Sequence, residues 1–162
     1  MHTCYIGIGS NVGNPVAQAK EAIDALAQIE KTQLISVSSL YASKPMGPSD
    51  QPDYVNAVAK LTTTLTPLAL LDALQYIELH QGRVRKDERW GPRTLDLDIL
   101  LVDDLAIDHS RLTVPHYGMR EREFVLYPLF EISPNLVLSD GVALSQLIQS
   151  CPRNGLETID NA

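Results

Sequence analysis

Thr94-Leu95-Asp96-Leu97-Asp98-Ile99-Leu100-Leu101-Val102 alternates apolar and polar residues, then runs apolar to its end. The pattern predicts a β-strand over 94–102 with Leu95, Leu97, Ile99 and Leu101 turned into the core. Asp96 and Asp98 then share the opposite face, roughly 6.6 Å apart along the backbone. Neighbouring carboxylates repel and are costly to desolvate unless a cation joins them. Mg²⁺ takes carboxylate oxygen together with water and phosphate, and suits such a pair. Two solvated acids on an exposed sheet face are the alternative.

The stretches before this strand set the order of elements. Residues 3–9 (TCYIGIG) alternate as a first strand. Asn14-Pro15 reads as a cap with proline at the first helical position, and Ala22, Ile23, Leu26 and Ile29 give helical spacing over 15–30. Residues 33–42 and 54–65 read as the second and third strands, separated by a proline-rich loop at 43–53. Thr66-Pro67 opens a second helix with Leu70, Leu71, Leu74 and Ile77 on one stripe, and Gly82 is a plausible stop. A loop at 83–93 leads into the strand at 94–102. The order β-α-β-β-α-β predicts an α+β, ferredoxin-like sandwich: an antiparallel sheet with helices on one face. Extra C-terminal elements follow, namely an extended piece near 105–108 and short helices around 121–132 and 143–150. The two long loops are candidates for function.

Composition fits this reading. The chain has 162 residues, 44% hydrophobic and 20% charged, which suits one domain over 1–162 and excludes disorder. No apolar stretch is long enough to span a bilayer, and the N-terminus lacks a signal-peptide pattern. Two cysteines, Cys4 and Cys151, make neither a disulfide framework nor a zinc site. A reduced, cytoplasmic protein without a membrane partner is therefore expected, taken as a monomer, and the formal net charge of −7 argues against a nucleic-acid partner. Within that acidic chain, eight of the 13 basic residues fall between 83 and 122, and residues 82–95 alone carry a net charge of +3. Such a loop suits an anion, since the arginine fork matches phosphate oxygens. A solvated, charge-mixed loop would show the same counts.

Other positions carry chemistry with a plainer alternative beside it. Trp90, the only tryptophan, stands among charges, where it would stack on a base, close a lid, or fold back on the surface. Glu78 sits near the C-terminal end of a helix, where the dipole disfavours an anion, so it is either compensated or tolerated as an exposed acid. His116 is a candidate phosphate ligand or proton carrier, or a structural turn residue. Tyr54 and Asn56, two apart on one strand face, would stack on a flat heterocycle and read its edge, or simply pack. The Gly7-x-Gly9-Ser10-Asn11 turn is neither a P-loop nor a dinucleotide fingerprint, so phosphate would be held by metal and arginine.

The run GRVRKDERWGPRTLDLDILL (82–101), with IGSN near the start, GPSDQPDYVNAV in the middle and LTVPHYGMRER later, closely resembles the 6-hydroxymethyl-7,8-dihydropterin pyrophosphokinase family of folate biosynthesis. The likeness runs from about residue 3 to about 140, and the last twenty or so residues match poorly. It implies a ferredoxin-like fold and transfer of pyrophosphate from ATP to the hydroxymethyl group of the dihydropterin, releasing AMP. On it, Asp96 and Asp98 match the aspartates that hold two Mg²⁺ ions on the ATP phosphates. Arg83 and Arg93 match catalytic-loop arginines, beside Arg85, Lys86 and Trp90. Glu78, Arg111, Thr113, His116, Tyr117 and Arg122 match the nucleotide side. Ser43, Met46, Tyr54, Asn56, Trp90 and Phe124 match the pterin pocket. The segment Ser43-Lys44-Pro45-Met46 departs from a familiar threonine-proline-proline-leucine pattern, and His80 and Asp87 stand where glutamine and alanine are expected.

Two other classes fit less well. A nucleotidyltransferase needs Gly-Ser shortly before Asp-x-Asp, whereas Ser10 and Asp96 lie 86 residues apart. A ferredoxin-like RNA-binding module needs a basic sheet face, which Asp96 and Asp98 oppose.

Overall fold

The structure is a computed structural model that describes residues 1–10, 14–43, 54–82 and 95–159. Its elements in chain order are β1 (His2–Ser10), α1 (Pro15–Ala27), β2 (Thr32–Val37), β3 (Tyr41–Ser43), β4 (Tyr54–Thr63), α2 (Pro67–Ile77), a π turn (Glu78–Gly82), β5 (Asp96–Val102), β6 (Ile107–Asp108), β7 (Thr113–Val114), a 3₁₀ turn (Met119–Glu121), α3 (Glu123–Ile132), α4 (Leu144–Gln149) and β8 (Glu157–Thr158). The main sheet runs β5-β1-β4-β3-β8, with β2 also on β4; β6 and β7 form a separate pair. All pairings are antiparallel. The result is a mixed α/β architecture around one antiparallel sheet.

Both long helices begin where the caps predict. Asn14 Oδ1 accepts from Ala17 N at 3.2 Å, and Thr66 Oγ1 accepts from Ala69 N at 3.2 Å, each followed by a proline that has no N–H to satisfy. One sheet face carries Cys4, Ile6 and Ile8 of β1, Ala57, Ala59 and Leu61 of β4, and Leu97 and Ile99 of β5. This face packs on Ala19, Ala22 and Leu26 of α1 and Leu70, Leu74 and Ile77 of α2, all buried.

The expectation of helices on one face alone is corrected. Tyr5, Val58 and Leu100 on the other face form a second cluster with Val125, Leu126 and Leu129 of α3 and Leu144 of α4. Leu101 also departs from its expected side. The β1–β5 register shifts between Tyr5 and Ile6, so Leu100 is an extra residue in β5. Such a bulge turns the strand, and Leu100 and Leu101 both join the α3 side.

The strand expected over 33–42 is two strands. Ser38 interrupts it: its Oγ accepts from Val58 N at 3.0 Å and donates to Ser39 O at 2.8 Å. Glu131 of α3 then takes Ser39 N at 2.9 Å, Ser39 Oγ at 3.0 Å and Tyr41 OH at 2.5 Å. Helix α3 thereby fixes the start of β3.

Two buried acids of the core bear on alkaline stability. Burial, then the Glu131 hydrogen bond and charge, hold the Tyr41 phenol above its ordinary value of 10.0, with Arg153 opposing. Burial and then the Asp103 charge push the Cys4 thiol up to about 12. The unfolded chain releases both protons earlier than the fold does, so stability is kept below the ordinary values and falls as pH rises past them. Denaturant unfolding between about pH 8 and pH 11 is expected to show this decline. Tyr41→Phe, though less stable at neutral pH, is expected to decline less steeply above about pH 10. A parallel decline in the two proteins would contradict the assignment to Tyr41.

Candidate active site

Register assembles the site. Asp96 of β5 faces Gly9 of β1, Gly9 faces Asn56 of β4, and Asn56 faces Tyr41 of β3. The next row sets Asp98 against Gly7 and Gly7 against Val58. Residues paired across a sheet share a face, so Asp96, Asp98 and Asn56 stand on the α3 side. Helices α3 and α4 cover only half of that side. The open half is a cavity of about 760 Å³.

Its floor is the bare backbone of Gly7, Ile8 and Gly9. A Cβ on Gly7 would lie 3.4 Å from Leu100 Cδ2, and one on Gly9 would lie 3.4 Å from Asn56 Oδ1. Glycine on the central strand leaves a flat shelf between the carboxylates of β5 and the amide of β4. Alternate glycines on one face of a strand are the sequence signal that marks this shelf, beyond the P-loop and dinucleotide motifs that Gly7 and Gly9 do not fit.

On the β4 side, Asn56 is buried and its Nδ2 donates to Ser43 Oγ at 2.8 Å. Ser43 and Tyr54 are register partners, and Tyr54 is more than a third exposed to the cavity. Phe124, Arg122 and Glu123 form the wall opposite, at the start of α3. The Arg122 guanidinium lies 5.8 Å from the Phe124 ring centre and 5.5 Å from that of Tyr117.

On the β5 side, His116 Nε2 is 4.0 Å from Asp98 Oδ2. Its Nδ1 accepts from Gly118 N at 3.1 Å, so the neutral ring carries its proton on Nε2, toward Asp98. Burial holds this imidazole below the usual histidine range; Asp98 pulls it up and Arg122 pushes it further down. A neutral ring with an inward Nε2–H can donate to an anionic oxygen. Tyr117 stacks on His116 at 4.7 Å and is largely exposed.

Glu78 closes the outer edge of β5. The π turn widens the end of α2, and Glu78 Oε2 accepts from Leu97 N at 2.8 Å. The compensation for an acid at this helix end therefore includes a backbone amide of the edge strand. Arg111 lies away from the cavity lining, donating to Asp72 at 2.5 Å and Gln75 at 3.1 Å on α2. Thr113 is exposed on β7 beside it.

The structure thus brings together Asp96, Asp98, Asn56, Tyr54, Ser43, His116, Arg122 and Phe124 around one cavity. The expected Met46, Arg83, Arg85, Lys86, Trp90 and Arg93 lie outside the described residues. Glu121, Glu123 and Asn154 also line the cavity and were not expected.

A carboxylate pair and a buried amide on the open half of a helix-backed antiparallel sheet define a small α/β protein with a built ligand cleft. Residues 5–134 match the model of the 7,8-dihydro-6-hydroxymethylpterin-pyrophosphokinase family, and the chain belongs to that family. It is 54% identical over 158 residues to the 2-amino-4-hydroxy-6-hydroxymethyldihydropteridine pyrophosphokinase of Pseudomonas aeruginosa, covering 98% of this chain and 97% of that one. The protein of the same name from Haemophilus influenzae is 56% identical over 149 residues, 92% of either chain. The fold is shared with a solved chain described as HPPK-DHPS in complex with substrates, at a TM-score of 0.71 and 13% identity over 93% of this chain. A Plasmodium falciparum HPPK-DHPS chain gives a TM-score of 0.69 at 13% identity. This chain spans less than half of each of those two solved chains, 45% and 43%.

Proposed function

We propose that this chain transfers pyrophosphate from ATP to the hydroxymethyl group of 6-hydroxymethyl-7,8-dihydropterin, giving AMP and the dihydropterin diphosphate in folate biosynthesis. The observation that carries the reading is the row Asp96, Gly9, Asn56 across three adjacent strands. Neighbouring strands lie about 4.8 Å apart, so carboxylate and amide stand roughly 10 Å apart across a glycine shelf. That span suits a flat bicyclic ring whose polar edge meets Asn56 and Ser43 and whose hydroxymethyl arm points toward Asp96 and Asp98. Tyr54 and Phe124 supply aromatic surface on either side. We read the architecture as a ferredoxin-like sandwich with α3, α4 and β8 added, acting as a cytoplasmic monomer over 1–162. The strand order supports the ferredoxin-like reading: β5, β1 and β4 with β2 and β3 beside it.

In-line attack of the pterin hydroxyl on the β-phosphorus of ATP leaves AMP. Positioning and charge neutralisation account for most of the rate in such transfers. Asp96 and Asp98 would hold two Mg²⁺ ions: the donors are hard oxygens, two apart on one strand, opening on the cavity. When bound, Mg²⁺ neutralises phosphate charge and acidifies a coordinated hydroxyl. His116 orients a phosphate oxygen through Nε2–H, and Arg122 and Tyr117 hold the nucleotide side. Glu78 of the π turn, Arg111 between β6 and β7, and Thr113 of β7 are assigned to the nucleotide side. Arg83 and Arg93, with Arg85, Lys86 and Trp90, are assigned to phosphate contact and closure, and Met46 to the pterin edge.

The test is incubation with Mg²⁺, ATP and 6-hydroxymethyl-7,8-dihydropterin, followed by separation of the nucleotides. AMP is expected only when pterin and metal are both present. ADP in its place would refute attack at the β-phosphorus.

A further inference from the structure

The C-terminal segment is absorbed by neither the family match nor the roles above, yet it reaches the cleft. Cys151 and Leu156 bury its two ends, and β8 pairs with β3 as Tyr41 with Thr158 and Ala42 with Glu157. Ile159 N donates to Leu40 O at 2.8 Å. Between the buried ends the chain reverses through Asn154 and Gly155, at φ +54° and +83°. Asparagine and glycine are the residues that adopt this left-handed conformation readily. Arg153 locks the turn: its Nε and Nη2 donate to Leu156 O at 3.1 and 2.9 Å, and its guanidinium lies 4.9 Å from the Tyr127 ring centre.

One stripe of α3 receives this segment. Glu123, Tyr127 and Glu131 are spaced by four residues and therefore lie on one helix face. Tyr127 OH donates to Cys151 O at 2.6 Å, and Glu131 holds Ser39 and Tyr41. Glu123 Oε1 accepts from Asn154 Nδ2 at 2.9 Å. Glu123 and Asn154 both line the cavity, and Glu123 immediately precedes Phe124. The hydrogen bond joins a locked turn to the first helical residue of the wall that bears the Phe124 ring.

We propose that Asn154, acting through Glu123, is a positioning residue for the Phe124 wall, so that the C-terminal turn tunes pterin affinity. The proposal rests on the pterin reading of the cleft. Asn154→Gly keeps the left-handed backbone and removes only the amide, so the turn is retained. Its expected effect is a three- to tenfold rise in KM for the dihydropterin, with KM for ATP moved less than twofold and the thermal midpoint kept. Glu123→Ala is expected to reproduce the pterin effect. Glu123→Gln, which still offers an oxygen to Asn154 Nδ2, is expected to recover most of it. The double variant Asn154→Gly with Glu123→Ala is expected to be no worse than either single change, because both remove one interaction. Unchanged pterin KM in Asn154→Gly overturns the proposal, as do equal shifts for both substrates or additive effects in the double variant. Unmodified protein run alongside separates the two readings: if it makes no AMP, the reaction assignment fails first.

Discussion

Asp98→Ala is expected to lower turnover about a thousandfold, equivalent to ~4 kcal/mol of barrier. Asp96→Ala is expected to do the same. The argument starts from β5. Its apolar residues Leu97 and Ile99 are buried against α1 and α2, which fixes the strand and turns both carboxylates to the open face. Neither side chain packs in the apolar core, so neither variant should lose the fold. Asp98 is exposed, and its loss leaves no core cavity. What is lost is the negative charge that the proposed function assigns to holding the metal on the ATP phosphates. Asp98→Asn separates charge from shape: it keeps the volume and an acceptor oxygen, and is expected to lose nearly as much turnover. Initial rates of AMP release across a range of Mg²⁺ concentrations are the measurement, with thermal melting as the check on folding. Near-normal turnover in either alanine variant at ordinary Mg²⁺ would remove the metal role from this pair.

Much of this geometry is legible in the sequence because alternation is a strict rule. A strand of period two places Asp96 with Asp98, and Tyr54 with Asn56, whatever the fold around them. Capping works for the same local reason: Asn14-Pro15 and Thr66-Pro67 start their helices without help from tertiary contacts. The failures are all non-local. Leu101 faces α3 because a bulge at Leu100 relieves the mismatch between β1 and β5, and a bulge depends on the partner strand. The second strand breaks because Ser38 bonds to Val58 and Glu131 reaches across from α3, over ninety residues away. The second helical layer went unexpected because α3 is apolar over much of its surface, which says that it is buried but not against what. Of the candidate site residues, Arg111 shows the same limit: its fork meets Asp72 and Gln75, partners that spacing alone does not reveal. Neither the Asn154-Gly155 turn nor its contact with Glu123 is among the expectations from sequence.

Asn56→Ala is expected to reduce kcat/KM for the dihydropterin at least a hundredfold, equivalent to ~3 kcal/mol, while KM for ATP changes little. Asn56 lies in β4 with β1 on one side and β3 on the other, so its backbone is held by two ladders and its side chain has one direction to point. It is only 5% exposed. One amide N–H is spent on Ser43 Oγ, which leaves Oδ1 and the second N–H to read a donor and an acceptor on a ring edge. A site built from buried polar groups rejects what cannot pair with it, and loses affinity steeply when its own group is deleted. Alanine also leaves the Ser43 hydroxyl, itself buried, without its donor. Asn56→Asp makes the sharper test. It is nearly isosteric, keeps two acceptor oxygens and can still take a bond from Ser43 Oγ, but it has no N–H to give. If the amide reads the pterin edge as donor and acceptor together, the aspartate variant should lose kcat/KM for the dihydropterin nearly as far as alanine does, with KM for ATP changed little. The buried charge lowers the thermal midpoint in either case, and if Asn56 only packs, kcat/KM for pterin and for ATP should fall by the same factor. Steady-state kinetics with each substrate varied in turn, beside a thermal melt, decides between the two.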